Sequence, residues 1–156
     1  MRTVSWKVFC ITFLLSIACF FFIDVFTIKT NHVSGNGNLG LPLYPLACFF
    51  LLVVMHYLFA TYYNKMKVFS KKLHVLTIIL AAAAIVVCLS FAREKFVLRI
   101  AELDRTMAVS TTFMRDYSWI DIHLNNLYFN VYTYIAAISL ALLLAGLYSM
   151  VRGREK

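Results

Sequence analysis

The sequence predicts an all-α integral membrane protein: a four-helix bundle, N-in/C-in, with an ordered amphipathic extracytoplasmic segment between spans three and four. Three observations carry this. Of 156 residues, 62% are apolar and 14% charged, whereas a soluble domain carries about 25% charged residues. The apolar residues fall in four runs, each close to the ~20 residues a helix needs to cross the hydrocarbon layer. The basic residues gather at three places along the chain that a four-span threading puts on one side. The expected spans are residues 8–28, 43–63, 74–92 and 127–151. Outer loops lie at 29–42 and 93–126 and an inner turn at 64–73. Residues 1–156 form a single membrane domain, with no stretch left for a soluble one.

The first span follows Arg2 and Lys7. Ser16, Ala18 and Cys19 offer small residues of the kind found at leader cleavage sites. The apolar run nevertheless continues through "FFFIDVF", which is long enough for a crossing and too long for a short leader core. An uncleaved span is therefore expected. The loop "KTNHVSGNGNLGLP" carries a Gly-Asn-Gly turn signal, and Pro42 stands where the second helix opens. His32 has no second metal ligand near it in sequence and reads as a solvated loop residue.

Lys65, Lys67, Lys71 and Lys72 fill the inner turn, which is short enough to make spans two and three antiparallel neighbours. With Arg2, Lys7, Arg152, Arg154 and Lys156 they lie on one side of the bilayer. The positive-inside rule makes that side cytoplasmic. A secondary use of the lysine turn is contact with anionic lipid head groups. On the other side Lys29, Arg93, Lys95, Arg99, Arg105 and Arg115 face Asp24, Glu94, Glu102, Asp104, Asp116 and Asp121, and the two signs cancel. The net charge of +8 is thus a threading signal, and nucleic acid is not an expected partner. Span three contains "IILAAAAIVVCLSF", which has no alternation and so excludes a transmembrane barrel strand.

After span three comes "FAREKFVLRIAELDR". Phe96, Ile100, Leu103 and Met107 recur at i, i+4, i+7 and i+11, one face of a helix. Arg99, Glu102 and Arg105 form opposite-sign i,i+3 pairs, each worth a few tenths of a kcal/mol. The stretch is expected to be an amphipathic helix, either continuing span three or bent onto the membrane surface. Its apolar face needs a cover: the following residues, the lipid surface or a partner. Phe96, Arg99, Ile100, Glu102, Leu103, Arg105 and Met107 are the candidate partner surface. Tyr117 and Trp119 mark the return to the interface, where amphipathic aromatics prefer to sit. Span four carries Ala137, Ala141, Ala145 and Ser149 at four-residue spacing, with Gly146 beside them. Small residues so spaced let helices approach closely in lipid. The partner is the Ala81–Ala84 run of span three or a second copy, so a homo-oligomer through Ala137, Ala141 and Ala145 is open.

Polar groups within lipid are costly and mark sites. Asp24, near the outer end of span one, is at the depth of Arg93, Lys95, Asn126 and Asn130. It is expected to pair with Arg93 or Lys95, either as a clasp or as an ion entry point. His56 lies deeper, level with Ser16 and Ser139, which are expected to satisfy its ring nitrogens. The cysteines, Cys10, Cys19, Cys48 and Cys88, all fall within spans and form no C-x-x-C pair. They read as small apolar fillers, which removes quinone-linked disulfide formation. There is no H-E-x-x-H, G-x-S-x-G, phosphate-binding loop or dinucleotide fingerprint. His56 and His74 are not at matched depth for a haem. No cofactor and no catalytic or metal site is expected.

The expected function is that of a non-enzymatic, membrane-resident interaction or accessory protein. Its outer segment 93–126 would bind another membrane or extracytoplasmic protein. The alternative is a small transporter or channel component using Asp24 and His56. The absence of an N-x-S/T sequon is compatible with a bacterial inner membrane, the expected location of this multi-pass chain.

Overall fold

The computed structural model describes residues 5–27, 39–66, 70–109 and 124–152. Every regular element among them is a helix: α1 (Trp6–Val25), α2 (Leu43–Met66), α3 (Lys71–Val109), α4 (Asn125–Tyr128) and α5 (Val131–Arg152). Four helical stretches are long and apolar enough to cross a membrane, the fourth combining α4 and α5. Residues 110–123, which include Tyr117 and Trp119, lie outside the described residues, as do His32 and most of the first outer loop.

The distribution of side chains is that of a bundle whose solvent is lipid. The buried positions are mainly small or hydrogen-bonding: Ser16, Cys19, Ala47, Ala60, Ala81, Tyr134, Ala141 and Ala145. Many large aliphatic residues point outward, as Leu52 (63% exposed) and Val86 (65% exposed) show, although Ile23, Val54 and Leu103 are fully buried. A water-soluble bundle has the opposite arrangement.

Helix α5 lies between α2 and α3, α1 packs on α2, and the short α4 touches both α1 and α3. The α3–α5 contact is antiparallel and close. At one end His74 Nε2 is 3.2 Å from Ser149 Oγ. One turn along, a Cβ on Gly146 would stand 2.8 Å from Ile78 Cγ1, so only glycine fits there without a shift. At the other end the rings of Phe91 and Tyr132 stack with centroids 5.5 Å apart. Each step along α3 matches an equal step back along α5, so the register is kept over the whole contact. Of the small-residue stripe of α5, Ala141 and Ala145 are buried within the chain and Ala137 is half-buried. A homo-oligomer through Ala141 and Ala145 would have to compete with this intramolecular packing.

Helix α1 is joined to α5 by one buried hydrogen bond. The Ser16 hydroxyl donates to the Phe13 carbonyl at 2.8 Å. Its single proton is thereby committed, so the Tyr134 hydroxyl, 2.7 Å away, donates to Ser16 Oγ. Around this clasp the rings of Phe13, Tyr134, Phe20, Phe129 and Tyr44 form an unbroken series of contacts, with centroids 4.5 to 6.4 Å apart. Such edge-to-face and tilted pairs add to the stability given by area alone.

Of the two conformations expected after Ala92, the chain takes the continuous one: α3 runs unbroken for 39 residues, about 58 Å at 1.5 Å per residue. Span four is not continuous, because the chain breaks at Phe129 and Asn130 between α4 and α5.

Removing the Ser16–Tyr134 clasp should weaken α1 docking. In a double-mutant cycle of Ser16→Ala and Tyr134→Phe, unfolding in detergent should give a coupling of about 0.6–1.7 kcal/mol, the range for interhelical hydrogen bonds in membranes. Strict additivity would show that the bond contributes nothing.

Candidate functional site

The end of the bundle expected to face outward collects most of the singled-out polar residues. Asp24, the penultimate residue of α1, is exposed. It lines a shallow cleft of about 260 Å³ together with Lys95, Leu98, Arg99 and Glu102 of α3 and Asn126 and Leu127 of α4. Asp24 and Lys95 thus share a cleft, yet Asp24 makes no ion pair with Lys95 or Arg93 among the described residues. The Lys95 ammonium instead sits 4.9 Å from the centre of the Tyr132 ring, a cation–π contact with the ring that Phe91 stacks on. Arg93 is exposed. Arg99 Nη1 donates to Glu102 Oε2 at 3.1 Å, the i,i+3 pair expected from spacing.

Part of the apolar face of α3 beyond Ala92 is covered by the chain itself. Leu103 is 1% exposed and packs with Leu124 and Leu127, and Ile100 and Tyr128 flank them. Leu103 therefore leaves the expected partner surface, and Ile100 is half-buried at its edge. Spacing put them on one face but could not say which of three covers they meet. The return segment supplies it. Phe96, nearer the membrane-spanning part of α3, is still exposed, as are Val97, Leu98, Glu102, Asp104 and Arg105. The Met107 side chain lies outside the described residues.

Asn130 has a definite structural task. Its Oδ1 accepts the backbone N–H groups of Tyr132 at 2.9 Å and Thr133 at 3.1 Å, capping the start of α5. Its Nδ2 donates to the carbonyls of Asn126 at 3.0 Å and Leu127 at 2.9 Å, which α4 would otherwise leave open. Thr133 Oγ1 accepts the Asn130 N–H at 3.1 Å in return, a reciprocal cap. Its single proton is shared between the carbonyls of Tyr128 at 2.8 Å and Asn130 at 2.9 Å. A backbone break at membrane depth is tolerated only when its freed groups are satisfied in this way. Sequence reasoning singled out Asn130 as a polar site but missed its partner Thr133. The Asn-x-x-Thr spacing before an apolar run was the available signal. It also missed Asn125, fully buried, whose Oδ1 accepts the Tyr44 hydroxyl and ties α4 to α2.

The deeper set is not brought together. His56 is exposed and makes no hydrogen bond to Ser16 or Ser139. Ser16 is committed to Phe13 and Tyr134, and Ser139 is buried. Counting residues fixes depth along a helix but not direction around it, and His56 faces away from both serines. The cysteines are free. Among the described residues no three His, Cys, Asp or Glu groups converge as metal ligands. No protein-family model matches the chain, and neither a curated protein nor a solved structure is significantly similar to it.

Asn130→Ala should lower stability by about 1–2 kcal/mol, because a lost cap alone costs this much. Asn130→Asp keeps the acceptor for α5 but loses the donor for α4 and should fall between the two. Denaturation midpoints of the three chains in detergent would check the order.

Proposed function

We propose that the chain is a membrane-resident interaction protein whose outer segment, residues 93–126, recognises another membrane or extracytoplasmic protein. The observation that carries this reading is the unbroken continuation of α3 to Val109. A hydrocarbon layer of ~30 Å takes about 20 residues of it. The 17 residues from Arg93 then form a helical post of about 25 Å. Leu103 anchors the post to Leu124 and Leu127, while Phe96, Val97 and Leu98 stay exposed beside Glu94, Lys95, Glu102, Asp104 and Arg105. A preorganised surface with alternating charge and a few exposed apolar side chains suits specific protein recognition, because little ordering entropy is lost on binding.

In this reading the termini and the lysine turn face the cytoplasm of a bacterial cell, and the post faces outward from the inner membrane. The support is the lysine excess between α2 and α3 against the balanced charges of the post. A membrane-impermeant thiol reagent applied to whole cells should label Glu94→Cys and leave Ser70→Cys unlabelled. The reverse pattern would invert the orientation.

One observation favours a second reading. Asp24 and Lys95 face a common cleft without pairing, as the polar entrance of a small transporter would need. His56 is not near that cleft in sequence or along its helix, so the pathway expected from both residues loses one of its two members. Asp24→Asn abolishing solute flux in reconstituted vesicles would favour transport over recognition.

The recognition reading is tested by inverting the post's charge without losing its ion pair. In Arg99→Glu/Glu102→Arg the i,i+3 pair remains, so stability should change by under about 0.5 kcal/mol. A photo-crosslinker at Val97 should capture a defined protein in native membranes from the unaltered chain. Capture should drop at least tenfold from the double variant. Equal capture from both would rule out recognition by this face.

A further inference from the structure

We propose that the cleft among α1, α3 and α4 holds the headgroup of a phospholipid with a primary ammonium, its phosphate on Lys95 and its ammonium on Asp24. The depth of the cleft is that of a headgroup. Lys95 lies about 36 Å along α3 from Lys71 at 1.5 Å per residue. The hydrocarbon layer is ~30 Å thick, and the polar interfaces bring the bilayer to ~40–45 Å. With Lys71 at one hydrocarbon edge, Lys95 therefore stands in the headgroup layer of the opposite leaflet. Asp24, penultimate in α1, and Asn126, at the start of the fourth crossing stretch, border the same cleft of about 260 Å³.

The charges that line the cleft fit a zwitterion. Arg99 and Glu102 neutralise each other at 3.1 Å. One carboxylate and one ammonium remain, Asp24 and Lys95, which share the cleft without pairing. Lys95 rests on the Tyr132 ring at 4.9 Å, a contact that leaves its N–H donors without an oxygen acceptor. An anion alone would meet the like charge of Asp24, and a cation alone that of Lys95. A ligand carrying both signs finds an opposite charge for each. Asn126 adds an acceptor: its Oδ1 is enclosed without a hydrogen-bond partner, and a turn of that amide presents it to the cleft. A primary ammonium has three N–H donors for these oxygens, whereas a quaternary one has none. The exposed Leu98 on the cleft wall gives the lipid an apolar border. The site rests on neither reading of the protein's role, because it needs no partner protein and no flux.

The full chain in detergent, given equal amounts of phosphatidylethanolamine and phosphatidylcholine with the same acyl chains, should retain the first about two- to fivefold better, the effect of one exposed ion pair. Native mass spectrometry counts the two adducts. Asp24→Asn should bring the ratio to one by losing the ethanolamine lipid alone. Lys95→Gln should lower retention of both, because both carry the phosphate. Arg93→Gln, exposed and outside the cleft, should bind as the unaltered chain does, and equal helicity by circular dichroism would show that the variants fold. Free O-phosphoethanolamine at millimolar concentration should leave the lipid in place. Its displacement of the lipid would assign the cleft to a soluble zwitterion and overturn the proposal. Equal retention of the two lipids, an unchanged ratio in Asp24→Asn, or undiminished retention in Lys95→Gln would each overturn it as well.

Discussion

The close antiparallel contact of α3 with α5 is the constraint on which the rest of the bundle depends. Between helices in lipid there is no hydrophobic drive, because the tails are as apolar as leucine. Association comes from van der Waals packing and a few hydrogen bonds. Gly146 against Ile78 lets the two backbones approach. The His74–Ser149 and Phe91–Tyr132 contacts then fix the register at both ends. With α5 held this way, its other side receives α2, and Tyr134 reaches Ser16 of α1.

The same register determines the outer end. Phe91 and Lys95 both bear on Tyr132, so α3 leaves its contact with α5 in a set direction. The break stapled by Asn130 and Thr133 then lets α4 depart from the α5 axis without leaving carbonyls open. That departure carries Leu124 and Leu127 onto Leu103. A straight fourth span would have kept the α3 post uncovered. The polar residues at the break are thus part of the scaffold that makes the post rigid.

The spans were legible because their cause is compositional. Runs of about 20 apolar residues have few ways to fold other than as crossing helices. The helical nature of "FAREKFVLRIAELDR" was legible too, since its 3.6-residue periodicity survives between the charges. What was not legible depends on direction around a helix or on contacts far apart in sequence. Depth counting grouped His56 with Ser16 and Ser139, but their helices turn them to different sides. Leu103 was correctly placed on an apolar face, yet its cover comes from residues more than twenty positions later. The Asp24 pairing was argued from depth alone, and the ammonium of Lys95 is drawn to Tyr132, an aromatic that depth counting treats as neutral.

A common physical rule connects the two outward features, the post and the His56 face. Inside the bundle, nearly every buried polar side chain finds a partner: Ser16 takes Tyr134, Asn125 takes Tyr44, and Thr12 bonds its own backbone. Among the described residues the Tyr62 hydroxyl and Asn126 Oδ1 are fully enclosed without a partner, and the buried Ser139 makes no side-chain hydrogen bond. His56 has no such partner among the described residues, and Phe96, Val97 and Leu98 stay exposed on α3, so packing within a single copy accounts for neither feature.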